Sequence, residues 1–169
     1  MRRLIIMRHA KAEKASPTGE DFDRPLSARG EADAALMGRV LAGEGLIPDR
    51  ALVSGAARTR QTWALAAESF PGAEARYSRA LYLADPDEML AAIEAESSAE
   101  TLMVVAHNPG CHALALRLLA AGSAAAGVLR RFDRGFPTAS AAVFDVDEAG
   151  RAHYDGLFLA AEHGGGGGE

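Results

Sequence analysis

The sequence predicts a three-layer α/β/α domain with a mostly parallel central sheet. Three observations point there. Short apolar runs alternate with longer segments of helical periodicity. One run, Thr101 to Ala106, carries Leu102, Met103, Val104 and Val105 without polar alternation, as suits a strand covered on both faces. Three of the runs break at polar residues: Arg8-His9, Ser54 to Arg58, and His107-Asn108.

Leu4 to Met7 reads as a buried strand, and Lys11 to Phe22, with Pro17-Thr18-Gly19, as an exposed loop. Ser27 is placed to cap a helix whose apolar stripe is Ala32, Leu36, Val40 and Leu41. Gly43 to Pro48 stops it. Ala51 to Val53 is a second strand, followed by a helix over Arg58 to Phe70 that Pro71-Gly72 ends. Glu74 to Tyr77 is a third short strand. Asp85-Pro86 opens a helix with Met89, Leu90 and Ile93 on one face. After the Thr101 to Ala106 strand, Cys111 to Ala121 is helical, and Gly122 to Gly135 is irregular or partly helical. Ala139 to Val146 and Arg151 to Phe158 are two late strands. Residues 1–160 read as one domain. Residues 161–169, with five consecutive glycines, read as a tail without fixed structure.

Composition bounds the function. The chain has 169 residues, 49% of them apolar and 24% charged, as in an ordinary globular domain. A net charge of -5 argues against a nonspecific nucleic-acid binder but leaves room for a local basic pocket. The single cysteine, Cys111, provides neither a disulfide framework nor a cysteine zinc site. No apolar run reaches membrane-spanning length, and the run before Arg8 is short for a signal peptide. A cytoplasmic location, a monomer, and no bound cofactor or metal are the expectations.

Ligands of open α/β folds bind beyond the carboxyl ends of parallel strands, so the three polar breaks are expected to converge. Arg8 and Arg58 can hold phosphoryl oxygens through forked hydrogen bonds. A neutral His9 can attack phosphorus if its other ring nitrogen is held as a donor by a backbone carbonyl. His107 can hydrogen-bond the transferring group. Arg58 lies at a helix start, where a cation is disfavoured, and so calls for an anionic partner. His112, His153 and His163 read as structural or solvated.

Four segments then resemble the histidine phosphatase superfamily, whose fold is phosphoglycerate mutase-like. They are LIIMRHA at 4–10, Asp23-Arg24-Pro25-Leu26-Ser27 with Gly30, VSGAARTRQT at 53–62, and VAHNPG at 105–110. Ala10 replaces the commoner Gly, Gly55 the common Pro, and Thr59 the common Ala. The pattern is similar to the small bacterial SixA-type phosphohistidine phosphatases. The resemblance implies a metal-independent phosphatase. His9 matches the phosphorylated nucleophile, Arg8 and Arg58 the phosphate-binding arginines, and His107 the second histidine of the pocket. Arg24 matches a basic position that can face substrate phosphate.

Larger relatives carry a Glu that protonates the leaving oxygen. Arg79 to Ala84 contains none here, and Asp85 looks like a helix cap. A phosphoramidate needs less help from an acid, so a phosphohistidine on another protein, such as a phosphotransfer domain, is the implied substrate. The alternative is a small-molecule phosphomonoesterase, which would need Asp85, Glu88 or a mobile carboxylate at the leaving oxygen. Activity is expected to fall below about pH 6 as His9 protonates.

Overall fold

The computed structural model describes residues 1–96 and 98–166. Its strands are β1 (Arg3–Arg8), β2 (Arg50–Ser54), β3 (Glu74–Ser78), β4 (Thr101–Ala106), β5 (Ala141–Val146) and β6 (Ala152–Phe158). Its helices are α1 (Ala28–Gly43), α2 (Ala57–Ala66), α3 (Pro86–Ala95), α4 (Gly110–Ala121) and α5 (Ala126–Asp133). The sheet order is β3-β2-β4-β1-β5-β6. The first four strands are mutually parallel. β5 runs antiparallel to β1, and β6 antiparallel to β5.

The apolar strands are buried because both faces of the sheet are covered. Leu4, Ile6, Leu102 and Val104 point into one core, with Met89 and Ile93 of α3, Leu114 of α4 and Phe132 of α5. Ile5, Met7, Met103 and Val105 alternate into the other, with Met37 and Leu41 of α1 and Trp63 of α2. Each such side chain contributes about 1.5–3 kcal/mol on burial.

Local chemistry starts the helices where expected. Ser27 accepts a hydrogen bond from the Gly30 amide at 3.1 Å. Asp85 and Glu88 form a reciprocal capping box at the start of α3. Gly30 allows α1 to touch the loop after β1, because a Cβ there would lie 1.9 Å from the Lys11 carbonyl oxygen.

Two segments differ from the sequence reading, and a third takes the helical one of the two forms expected of it. Part of Gly122 to Gly135 is an ordered helix, α5, held by the burial of Phe132. The second helix ends at Ala66 and tightens into a 3₁₀ turn over Ala67–Ser69. The tail was expected to lack structure from residue 161. Instead Ala160–His163 is a 3₁₀ helix, and the Gly166 amide donates to Asp33 Oδ1 at 2.8 Å. Residues 167–169 of that expected tail lie outside the described residues.

The topology places a crevice. From β1 the chain goes to α1 on one face, and from neighbouring β4 it goes to α4 on the other. Adjacent strands that diverge to opposite faces open a gap beyond their carboxyl ends. His9 follows β1 and His107 follows β4.

Candidate active site

His9 is held by its backbone before its ring does anything. Its amide donates to the Ala106 carbonyl at 3.0 Å, extending the β1–β4 ladder by one residue. Its carbonyl accepts from the Ala139 amide, also at 3.0 Å. Ala139 adopts φ 61°, a left-handed conformation that costs about 1–2 kcal/mol in a residue with a side chain. The ring Nδ1 lies 2.7 Å from the Ala10 carbonyl oxygen. A carbonyl only accepts, so Nδ1 carries the proton and Nε2 the lone pair. Arg58 Nε donates to that Nε2 at 3.3 Å. Burial above all lowers the His9 pKa to about 3, the Ala10 bond opposes this, and Arg58, Arg8 and Arg24 add to it. The ring is therefore neutral well below the expected boundary near pH 6, because desolvation outweighs the one bond that favours the cation.

His107 stands beside it, with ring centroids 5.2 Å apart. Ser54 Oγ, at the end of β2, is 2.7 Å from His107 Nε2. No other acceptor for the Ser54 hydroxyl occurs among the described residues, so it donates to Nε2 and the ring proton sits on Nδ1. That buried Nδ1 has no hydrogen-bond partner among the described residues. A buried donor left unmade costs about 1–3 kcal/mol, and a phosphoryl oxygen is an acceptor that would remove the cost. Burial, then His9 and Arg58, lower the His107 pKa to about 3.

Arg58 is buried at the start of α2. The anion it calls for is Asp21. Arg58 Nη2 meets Asp21 Oδ2 at 3.0 Å, and Nη1 donates to the Asp21 carbonyl at 2.8 Å. Arg24 Nη1 donates to Asp21 Oδ1 at 2.8 Å, and the Tyr82 hydroxyl donates to Oδ2. The Tyr82 bond first, then Arg24 and Arg58, hold the Asp21 carboxyl well below the usual carboxylate range against the effect of burial. Tyr82 also sets its edge against the His107 ring, 5.5 Å between centroids. His9, Arg58, Asp21, Tyr82 and His107 thus form a closed circuit of contacts.

Arg8 ends β1 and donates through Nη1 to the Phe136 carbonyl at 3.0 Å. Asn108 Nδ2 donates to the same oxygen at 2.9 Å. On the other side Thr62 joins the nucleophile loop to α2. Its hydroxyl accepts from the Ala10 amide at 3.0 Å and donates to the Arg58 carbonyl at 2.7 Å.

The structure brings His9, Arg58 and His107 together, with Arg8 immediately before His9. Arg24 reaches the group through Asp21, and its Nε is engaged by the Glu13 carbonyl at 2.7 Å. Asp21, Tyr82 and Thr62 were missed by sequence reasoning. The position of Arg58 at a helix start was the signal for an anion, but nothing in the loop singled out Asp21. Asp85 and Glu88 spend their carboxylates on the α3 cap. Cys111 is buried, and desolvation pushes its thiol up to about 12, so it is inert as a nucleophile. His112 is occupied by the Phe132 carbonyl at 2.8 Å. Among the described residues, no group of three or more His, Cys, Asp or Glu side chains could share a metal ion.

A neutral imidazole with a presented lone pair, flanked by guanidinium groups and a second imidazole, can accept a phosphoryl group. Fold and site together define an α/β phosphatase. The model of the histidine phosphatase superfamily (branch 1) matches residues 4–82. An uncharacterized protein of Mycobacterium tuberculosis is 39% identical over 142 residues, 83% of this chain and 87% of the relative. The crystal structure of a candidate phosphohistidine phosphatase SixA from Agrobacterium tumefaciens superposes with TM-score 0.82 at 30% identity, covering 94% of this chain and 98% of that one. A SixA counterpart from Nakamurella multipartitia gives TM-score 0.79 at 31% identity, covering 94% and 95%. The chain belongs to the histidine phosphatase superfamily, and its fold is the phosphoglycerate mutase-like α/β fold of its structural neighbours.

Proposed function

We propose that the protein is a phosphohistidine phosphatase acting on a phosphorylated partner protein, such as a phosphotransfer domain. The observation that carries the reading is the state of His9: neutral, its Nδ1 proton held by Ala10, its Nε2 lone pair beside Arg58 and His107. In the first step Nε2 attacks phosphorus and the bond to the leaving atom breaks. Arg8 and Arg58 hold the equatorial oxygens, and His107 Nδ1–H donates to one of them. Arg24 faces substrate at the rim. In the second step water attacks the phosphorus on His9, giving inorganic phosphate and restoring the neutral ring.

The nature of the carboxylates favours a nitrogen leaving group. An alkoxide needs a proton at the moment it leaves. Asp21 is held ionised by Tyr82, Arg24 and Arg58, while Asp85 and Glu88 are tied into the α3 cap. An imidazole leaving group can carry its own proton.

The reading includes metal-independent turnover by a cytoplasmic monomer. Among the described residues no helix is long and apolar enough to cross a membrane. The positive groups that surround the histidines take the place a metal would fill.

The test is two-fold. Rates on a histidine-phosphorylated protein and on a panel of phosphate esters, measured in chelator, should favour the former. A strong preference for esters would support the small-molecule phosphomonoesterase reading instead. Rapid denaturation at alkaline pH should trap radiolabelled phosphate on His9. Label that persists in a His9→Ala variant would overturn the nucleophile assignment.

A further inference from the structure

Asp21 is an anion built into a site for anions. A carboxylate next to a phosphoryl group is repulsive, and a pocket meant only for phosphate would do better without it. Pairing with Arg58 accounts for Oδ2 of Asp21, but Arg24 alone does not fill Oδ1. An ionised carboxylate offers about four lone-pair sites. Among the described residues three are taken, by Arg24 on Oδ1 and by Arg58 and Tyr82 on Oδ2. One site on Oδ1 remains, on a side chain that is 46% exposed.

The other half of the reaction shows what that site could accept. His9 takes phosphate on Nε2 while its far nitrogen keeps a proton bonded to the Ala10 carbonyl. If the donor is also an imidazole, the transfer joins two chemically alike rings. Each ring needs its far N–H held by an acceptor. Ala10 serves one ring, and the open site on Asp21 Oδ1 is a candidate acceptor for the other.

We propose that Asp21 determines the choice of phosphoryl donor, its carboxylate accepting the far N–H of a substrate phosphohistidine so that the ring leaves as neutral imidazole. The proposal rests on the phosphohistidine reading above. The protonated phosphoimidazole enters as a cationic ring. His9 Nε2 forms a bond to phosphorus, the substrate P–N bond breaks, and its electron pair returns to the departing ring. The far N–H stays where it was, on a ring that is now neutral. His9 becomes the phosphorylated, positively charged ring, its Nδ1–H still on Ala10. No proton crosses the site. A phosphate ester has no such N–H and draws no benefit from the carboxylate.

The experiment compares kcat/KM for a phosphohistidine-bearing peptide with kcat/KM for p-nitrophenyl phosphate, and follows the ratio. Asp21→Asn keeps the shape and removes the charge. It is expected to lower the ratio about tenfold or more, the size of one lost charge-assisted hydrogen bond. Tyr82→Phe removes a donor but keeps the carboxylate and its Arg58 contact, and is expected to hold the ratio within about twofold of wild type. Should Asp21→Asn fail to fold, Asp21→Ser is measured in the same way. An Asp21 variant that slows both substrates alike, leaving the ratio unchanged, would mean that Asp21 only positions Arg58 and would overturn the proposal. So would Tyr82→Phe lowering the ratio as far as Asp21→Asn. Wild-type protein that turns over the ester but not the phosphohistidine peptide would overturn the substrate reading itself, a result distinguishable from either.

Discussion

Keeping two imidazoles neutral inside the fold makes stability depend on pH in a defined window. His9 and His107 both have pKa values lowered to about 3 in the folded chain, chiefly by burial. In the unfolded chain each returns to about 6.5. Between those values the unfolded state binds more protons than the folded state, so stability falls as pH falls. Above the unfolded value the full stability is present. Lowering the pH from about 7.5 to about 5 should cost about 2 kcal/mol per histidine, or about 4 kcal/mol for the pair. That is a large share of the roughly 5–15 kcal/mol typical of a domain. The assay is urea denaturation at both pH values, for wild type and for His107→Gln. The variant cannot take up that proton, so its loss of stability on acidification should be smaller by about 2 kcal/mol. Carboxylates contribute equally to both proteins and cancel in the comparison. An identical pH dependence in wild type and variant would refute the claim that His107 is buried as a neutral ring.

Thr62→Val should leave the Ala10 amide without its buried acceptor, costing about 1–3 kcal/mol in denaturation and lowering kcat by loosening the His9 loop from α2. Gly110→Ala should be still less tolerated, because a Cβ would lie 2.2 Å from the Ala84 carbonyl oxygen; the midpoint of thermal unfolding is expected to drop by several degrees or more, and an unchanged midpoint would show that the two segments can separate freely. Cys111 should react with a thiol reagent only after denaturation, and alkylation of the native protein with loss of activity would contradict its burial.

The central strands were legible because their burial is written in composition. Thr101–Ala106 has the same limits in sequence and structure, since a strand covered on both faces tolerates no polar break. Ser27 and Asp85 were legible for a different reason: helix caps are local chemistry, set by a side chain and an amide three residues on. The convergence of Arg8-His9, Arg58 and His107 followed from strand ends sharing one edge of a sheet. Asp21 was not legible. It lies in a loop with no periodicity, and its partners Arg58 and Tyr82 are 37 and 61 residues away. The helix over Ala126–Asp133 was only half seen, because it is short and its apolar side is only partly buried: Phe132 is fully covered, while Val128 and Leu129 pack beside it only in part. The glycine-rich end escaped because Gly165 and Gly166 dock by backbone amides, which composition does not encode.

His9, Ser54 and His107 sit at or just past the ends of three neighbouring strands, β1, β2 and β4. The distance between attacking ring and assisting ring is thereby inherited from the spacing of a parallel ladder, about 4.8 Å, a length that no loop sets. The rim residues Asp21, Arg24 and Tyr82 come instead from turns that can lengthen or change without moving the ladder. The molecule is divided like a tool with a fixed jaw and an interchangeable face. A lineage could exchange one substrate for another by rewriting those turns while the reacting atoms keep their separation.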